Sequence, residues 1–181
     1  MAEVAERSRT LIAIAREAIA LSQRPSDGCE WHVDWLRERA ASFVTLRIEG
    51  ELRGCIGSID AHRPLGDDVA HNAFAAAYRD HRFPPVDRDE RTRLAVEVSV
   101  LSPRAPFEAP TEADALAALR PGIDGLYLEF GELHATFLPQ VWESIPEPLD
   151  FLCELRRKAG LPTRFWHERV HLSRYTVEKY K

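Results

Sequence analysis

Hydrophobic residues recur at helical spacing in three segments of the chain, which predicts three main helices. The segments are residues 5–22, 65–80 and 148–159. The last of them ends before Gly160, a common residue at helix C-termini. A shorter helix is predicted at 111–119, because a threonine stands three residues ahead of an aspartate at its start, as in a capping box. The segment 65–80 is so rich in alanine that we expect it to pack closely against a sheet.

Alternating hydrophobic positions and β-branched residues predict the strands. Residues 42–59 and 126–137 each predict a hairpin that turns at a glycine. Residues 93–101 alternate most regularly, and residues 168–177 predict a last strand. No regular β–α–β repeat links these strands, and hairpins pair neighbouring strands antiparallel. We therefore predict an α+β fold with a mixed, largely antiparallel sheet and flanking helices, in a single domain over residues 1–181.

The composition is that of an ordinary globular protein, since 45% of the 181 residues are hydrophobic and 29% are charged. No stretch approaches the roughly 18 consecutive apolar residues that a membrane-spanning helix needs. Charged residues among the first twenty positions interrupt any signal-peptide core. We therefore expect a cytoplasmic protein that does not enter a membrane.

Charge is unevenly distributed along the chain, although the net value is only −5. Residues 108–154 hold ten acids against one base, whereas residues 156–181 hold eight bases against two acids. A basic end can contact nucleic acid or an acidic partner. Here the bases alternate with aromatic and aliphatic residues, so we favour the interpretation that they offset the acidic segment within the fold. We expect no nucleic-acid binding.

The sequence motifs of common cofactor sites are missing. The three cysteines, Cys29, Cys55 and Cys153, are widely spaced and form no Cys-x-x-Cys pair. The seven histidines are scattered, and neither a Gly-x-Gly-x-x-Gly motif nor a Walker-type phosphate loop is present. We therefore predict no metal site and no bound cofactor.

The first candidate for chemistry is Cys55, because two glycines, Gly54 and Gly57, surround it inside a predicted strand. Glycine weakens a strand interior, so we expect either a bulge or a close approach to the backbone at this place. Cys55 lies beside Arg53 and could act as a nucleophile, since a nearby cation lowers the pKa of a thiol. The alternative is a small buried cysteine that packs like an alanine.

Two further places carry candidate residues. Asp80 and Arg82 precede Pro84-Pro85, where they either line a pocket for a polar or anionic ligand or cap the helix and pair with each other. Glu97 lies in the middle of a strand, on the face opposite the valines. It is either exposed or, if both faces are covered, in need of a partner such as Arg53 or Arg82. Perturbed acids in clefts are candidate bases, so Glu97 is the candidate acid/base.

Several blocks of the sequence occur in an order that is typical of one family. They are Phe43-Val44-Thr45-Leu46, Leu52-Arg53-Gly54-Cys55-Ile56-Gly57, Asp80-His81-Arg82-Phe83-Pro84-Pro85-Val86, Glu97-Val98-Ser99-Val100-Leu101-Ser102, Gly125-Leu126, Phe137-Leu138-Pro139-Gln140-Val141, Phe151-Leu152 and Lys158-Ala159-Gly160-Leu161. Through these blocks, nearly the whole chain resembles the AmmeMemoRadiSam system protein A family, also called the AMMECR domain. A lone Leu-Arg-Gly-Cys would be a weak signal, whereas the ordered series is specific.

The resemblance implies a two-lobed α+β fold and a setting with a Memo-like protein and a radical S-adenosylmethionine protein. It brings no established reaction, but it strengthens Cys55 and Glu97 as candidate catalytic residues. The residues that it implies around a substrate cleft are Arg53, Gly54, Gly57, Asp80 and Arg82. The chain lacks a cluster of three cysteines for an iron–sulfur centre, so it would not itself be the radical enzyme.

Two functions remain open at this point. In the first, the protein is an enzyme or a substrate-handling subunit with a cleft around Cys55, which acts as nucleophile or substrate carrier. Arg53 or Arg82 would then hold a small anionic ligand, and Glu97 would be the acid/base. In the second, the protein is a non-catalytic binding or adaptor module that docks onto the Memo-like or the radical partner through a grooved surface, and Cys55 is structural. We favour the first.

Overall fold

The predicted α+β architecture is confirmed, with the strands arranged in two four-stranded sheets. The computed structural model describes residues 2–23, 25, 26, 28 and 30–181. The described chain divides into two units. Unit 1 extends to Leu101 and includes Glu178–Lys181, and unit 2 is Ser102–Val177. None of the described helices is long and apolar enough to cross a membrane.

Unit 1 contains most of the helical residues and a sheet with the strand order β2-β1-β3-β8. Strand β1 pairs antiparallel with both β2 and β3, and Val44 and Leu46 of β1 are completely buried against the helices. The elements are α1 (Ala2–Leu21), α2 (Asp34–Arg37), β1 (Ser42–Ile48), β2 (Glu51–Gly57), α3 (Leu65–Tyr78), α4 (Arg88–Arg93), β3 (Ala95–Leu101) and β8 (Val177–Tyr180). Because side chains alternate between the two faces of a strand, Thr45 lies on the face of the sheet opposite this core.

Unit 2 has its own core and a second antiparallel sheet with the strand order β4-β7-β5-β6. Its elements are β4 (Ala105–Pro106), α5 (Glu112–Ala118), β5 (Gly125–Phe130), β6 (Leu133–Phe137), a 3₁₀ helix (Pro139–Glu143), α6 (Pro148–Lys158) and β7 (His171–Tyr175). The Trp142 ring stacks on Phe151 with the ring centroids 3.7 Å apart. Its indole N–H donates to the Asp124 carbonyl at 2.7 Å, which satisfies the one polar atom of this buried side chain.

Two sequence predictions about the strands need correction. The strand predicted at 168–177 is present as β7, but it is shorter than predicted, and after Thr176 the chain continues as β8 of the first sheet. The predicted strand 93–101 begins only at Ala95, because α4 occupies the residues before it. Asp87 and Glu90 form a capping box at the start of α4, a signal that the sequence contains. The capping box predicted at Thr111 is confirmed.

Candidate functional site

Cys55 lies on β2, the edge strand of the first sheet, and the residue is partly exposed. Its Sγ is 3.4 Å from Thr45 Oγ1 on the neighbouring strand. Thr45 is in register with Cys55 on one side and with Glu97 on the other, so the three residues form a row across β2, β1 and β3. Cys55 is therefore not completely buried in this structure. Cys29 lies outside the described residues.

Asp80 and Arg82 bind the backbone of Cys55 from the open side of β2. An Asp80 carboxylate oxygen accepts the Cys55 N–H at 2.9 Å, and the Arg82 guanidinium donates to the Cys55 carbonyl at 3.1 Å. The two side chains also bind each other, with Arg82 Nε and Nη2 at 2.9 and 2.6 Å from the Asp80 oxygens. We call this arrangement the Asp80–Arg82 clamp. It satisfies backbone groups that an edge strand otherwise presents to solvent.

The clamp fixes the charge of both of its side chains. The Asp80 side chain is only 2% exposed, whereas that of Arg82 is 48% exposed. Hydrogen bonding to Arg82 lowers the pKa of Asp80 well below the ordinary range of an aspartate, against the opposing effect of burial, and the Cys55 amide lowers it further. The same hydrogen bond raises the pKa of Arg82. Asp80 is thus a carboxylate at neutral pH and accepts hydrogen bonds only.

Arg53 binds a different carboxylate. Its Nε and Nη2 donate to the two Glu90 oxygens at 2.7 and 2.8 Å, a bidentate pair that raises the pKa of Arg53 and lowers that of Glu90. Leu46 pairs with Gly54 while Arg47 pairs with Leu52, so Arg53 is the extra residue of a bulge, as the glycine-rich segment predicted. Its Nη1 is buried and has no hydrogen-bond partner among the described residues.

The Phe83 ring links the two arginines. The guanidinium carbon of Arg53 is 5.9 Å from the centroid of this ring, and that of Arg82 is 5.6 Å from it. Both distances are within the range of a cation–π contact. The structure therefore gathers Arg53, Cys55, Asp80 and Arg82 in one neighbourhood, although each arginine is already neutralised by its own carboxylate.

Glu97 is partly buried, and its partner is not one that we predicted. Lys181 Nζ is 3.1 Å from a Glu97 carboxylate oxygen, whereas Arg53 and Arg82 pair with other acids. The prediction of those two partners is wrong. Glu97 is separated from Cys55 by the whole of β1, which places it about 10 Å away at the usual spacing of two strands. It therefore does not contact the thiol directly.

The two glycines of the motif are required by packing. A Cβ on Gly54 would lie 2.1 Å from the Ala76 carbonyl oxygen, so only glycine lets α3 approach β2 this closely. A Cβ on Gly57 would lie 2.2 Å from the Phe43 ring. The alanine-rich helix thus packs against the sheet as predicted, and at Gly54 the close approach comes from the protein's own backbone.

Sequence reasoning missed a buried polar network at the start of α3. Asp68 is completely buried and accepts hydrogen bonds from the Ser42 amide and hydroxyl, the Ser58 hydroxyl and the Asn72 amide, at 2.7 to 2.9 Å. Asp68 lies in the first turn of α3, where acidic residues are common because they complement the positive end of a helix. Nothing local in the sequence therefore indicated that it connects β1 and the residue after β2 to the helix. Asp67 is also buried and accepts the Trp31 indole N–H at 2.9 Å.

Among the described residues, no three metal-ligating side chains converge. His167 and His171 have the spacing of two ligands on one helical face, but they lie in a turn and at the start of β7. This neighbourhood contains a partly exposed cysteine with a fixed backbone, one half-exposed guanidinium and an aromatic ring. This set can bind an anionic group and can supply a sulfur nucleophile.

Comparisons with known proteins agree with this sequence and fold. The AMMECR1 family model matches residues 12–180. A protein of Methanothermobacter thermautotrophicus is 42% identical over 163 residues, which cover 87% of this chain and 84% of that protein. A protein of Thermotoga maritima is 37% identical over 147 residues, covering 80% and 79% respectively. The crystal structure of the uncharacterised protein PH0010 from Pyrococcus horikoshii is 34% identical and superimposes with a TM-score of 0.80, covering 96% of this chain and 90% of PH0010.

Proposed function

The chain belongs to the AMMECR1 family, and on that basis we propose that it is a substrate-handling component with its centre at Cys55. The observation that carries the proposal is the Asp80–Arg82 clamp. Two charged side chains fix the N–H and the carbonyl of a single residue, while the sulfur of that residue is 3.4 Å from Thr45 Oγ1. A cysteine that is partly exposed and whose backbone is held in one position is arranged to meet a substrate.

In this proposal the substrate carries an anionic group next to its reactive carbon. Arg82 binds that group, because its guanidinium is half exposed and keeps a donor beyond those used by Asp80 and Cys55. Arg53 contributes by packing against Phe83, with its guanidinium carbon 5.9 Å from the ring centroid. The Cys55 sulfur forms a bond to the substrate carbon, the thiol proton passes to solvent, and the leaving group departs with its bonding electrons.

Glu97 has a more distant role in the same proposal. Since it lies about 10 Å from the thiol at the usual strand spacing, it exchanges a proton with a remote part of the substrate and not with Cys55. Its ion pair with Lys181 keeps a carboxylate on this face of the sheet.

The proposed setting includes two partner proteins, a Memo-like protein and a radical S-adenosylmethionine protein. The support for them is the ordered sequence blocks that the chain shares with the AmmeMemoRadiSam family. Within that setting, Cys55 would receive a small molecule from one partner or present it to the other. This assignment predicts that both partners are retained on the tagged full chain when the three proteins are expressed together, and that neither is retained on an unrelated tagged protein of similar charge.

The anion preference of Cys55 tests the proposed chemistry directly. For each cysteine we compare the alkylation rate with anionic iodoacetate to the rate with neutral iodoacetamide. We expect this rate ratio to be at least about threefold higher at Cys55 than at Cys153, because Arg82 attracts the anionic reagent. Arg82→Ala should abolish the preference and Arg82→Lys should retain most of it. Arg88→Ala is the matched control, because it removes an exposed positive charge from the same unit. Equal preferences at the two cysteines of the unaltered chain would contradict the proposal.

An adaptor role in which Cys55 is structural is the second candidate, and one observation favours it. The clamp also closes the open edge of β2, which protects a sheet from pairing with other chains. If the adaptor role is correct, both partner proteins bind the chain, Cys55→Ala leaves their binding unchanged, and Cys55 shows no preference between the two reagents.

A further inference from the structure

Arg79 lies in the same loop segment as the clamp but takes no part in it. In the part of the chain that the structure describes, its guanidinium makes no hydrogen bond or ion pair. Its backbone N–H ends α3 by donating to the Ala75 carbonyl at 2.8 Å. The backbone of Arg79 is therefore held in place, while its guanidinium pairs with no carboxylate of the described residues. Arg53 and Arg82, in contrast, each bind a carboxylate.

Arg79 lines a cavity of about 400 Å³ along the outer side of α3. The other lining residues are Arg63, His71, Asn72, Phe74 and Ala75. Phe74 and Ala75 give the cavity an apolar middle. Arg63 precedes α3 and Arg79 follows it, so the two arginines that line the cavity stand at opposite ends of this 14-residue helix. The cavity therefore combines positive ends with an apolar wall.

The polar side of this cavity is rigidly built. Asn72 is 7% exposed, and its amide donates to the Ser42 carbonyl at 3.0 Å and to Asp68 at 2.9 Å. Arg63 Nε is 3.8 Å from the Asp68 carboxylate, which is already satisfied by shorter hydrogen bonds from Ser42, Ser58 and Asn72. The Arg63 Nε and Nη2 contact His62 Nε2, so Nη1 is the nitrogen without a hydrogen bond to the described residues and can serve a ligand. Such pre-positioned groups lower the entropic cost of binding.

We propose that this cavity binds an elongated organic dianion, with one acidic group at Arg63, the other at Arg79, and an apolar chain between them on Phe74. Guanidinium groups recognise carboxylate and phosphate oxygens by charge-assisted hydrogen bonds, which suits two acidic ends. The apolar wall selects against short, fully hydrated anions, because it offers them no compensating contact. This site is separate from the proposed thiol chemistry and uses none of its residues.

Titration of the full chain with straight-chain dicarboxylates from succinate to sebacate, followed by amide chemical shifts in nuclear magnetic resonance spectra, tests the proposal. We expect saturable shifts at the α3 amides near residues 71–79, with tightest binding at an intermediate length such as suberate. Octanoate, which lacks the second acid, should bind about tenfold more weakly or worse, as expected for the loss of one hydrogen bond between charged groups. Uncharged 1,8-octanediol should cause no saturable shifts.

Variants of the chain locate the binding and separate it from other effects. Arg79→Gln should weaken suberate binding about tenfold or more. Arg88→Gln, an equal charge change at another exposed position of the same unit, should leave it unchanged, as should Cys55→Ser. The proposal is overturned if no member of the series saturates the α3 shifts, or if suberate binds Arg79→Gln as tightly as the unaltered chain. It is also overturned if octanediol binds as well as suberate.

Discussion

Asp80 shows how one buried carboxylate can organise a site. It is almost completely enclosed, and its two oxygens receive the Arg82 guanidinium, the Arg82 amide and the Cys55 amide. A buried charge is stable only when it is paired and hydrogen-bonded, and removal of one partner leaves the others unsatisfied. Asp80 therefore stabilises the fold and fixes Cys55 by the same contacts.

Replacement of this carboxylate by an amide should lower stability in a pH-dependent way. Asp80→Asn keeps the shape but loses the charge, so we expect it to reduce the free energy of unfolding at pH 7 by about 1.5–3 kcal/mol, the range for hydrogen bonds to charged groups. The pKa of Asp80 is lower in the folded state than in the unfolded chain. Its contribution is therefore fully present above the ordinary aspartate pKa of about 3.9 and declines as the pH falls below it.

Urea unfolding of the two proteins between pH 7 and pH 3 measures this effect. The difference between the unaltered chain and Asp80→Asn should narrow as the pH falls below about 4. Asp89→Asn is the matched control, since Asp89 is exposed on α4 and its substitution should change stability by less than about 0.5 kcal/mol. A difference for Asp80→Asn that stays constant over this pH range would mean that the charge pair does not stabilise the fold.

The sequence indicated which residues were candidates for the site, but it did not indicate the ion-pair partners of most of them. The pairing of Asp80 with a neighbouring arginine was one of two alternatives, because the residues are two positions apart. The Glu90 partner of Arg53 lies 37 positions away, and nothing local indicates it. The Lys181 partner of Glu97 lies 84 positions away in the sequence, and nothing local indicates it either. Long-range pairs follow from the fold and not from sequence spacing.

At the scale of elements, the close contact between α3 and β2 positions the candidate site. The alanine-rich face of the helix and Gly54 of the strand allow the two backbones to come together. Asp80 follows the end of α3, so this contact also sets how far the clamp is from Cys55. A methyl group inserted between the elements would separate them, since packed interiors do not absorb even one added carbon without strain.

Gly54→Ala tests this packing. Its Cβ would meet the backbone oxygen of Ala76, which cannot rotate away, so we expect a loss of at least about 2 kcal/mol in the free energy of unfolding. Gly57→Ala is the matched comparison, because its Cβ would meet the partly exposed Phe43 ring and not a backbone atom; the ring must rotate as a whole to relieve the overlap, and we expect a loss smaller than that of Gly54→Ala. Urea unfolding midpoints of both variants give the comparison. A Gly54→Ala protein as stable as the unaltered chain would show that the contact is not tight.

The main helices and the two hairpins were predictable, because periodic patterns and glycine turns act locally. The last strand was not, because residues 168–177 alternate continuously although the chain changes from one sheet to the other at Thr176. Alternation shows which residues face a core, but it does not specify which sheet supplies the neighbouring strand. Helix α4 was missed although its capping box is visible in the sequence, since it is only six residues long.

Over the whole molecule, the uneven charge is partly offset within the units. In unit 2, Arg156 is 1% exposed and is 2.6 Å from Glu112, and Arg157 pairs with Glu154. Other bases of the segment lie on aromatic rings, as Lys158 does on Phe137. These contacts agree with the interpretation that the basic end balances the acidic segment.

The α+β class of the whole molecule was predictable from element order and composition, whereas the division into two sheets depended on contacts far apart in sequence.

The accessibility of Cys55 in the intact molecule is the measurement that tests the central claim most directly. The native protein is treated with iodoacetamide, and peptide mass spectrometry gives the rates at Cys55 and Cys153 with and without denaturing urea. We expect Cys55 to react in the native state, at a rate that does not follow the unfolded fraction as urea is added. If Cys55 reacts only in proportion to the unfolded fraction, the thiol is enclosed and the substrate-handling role of Cys55 is wrong.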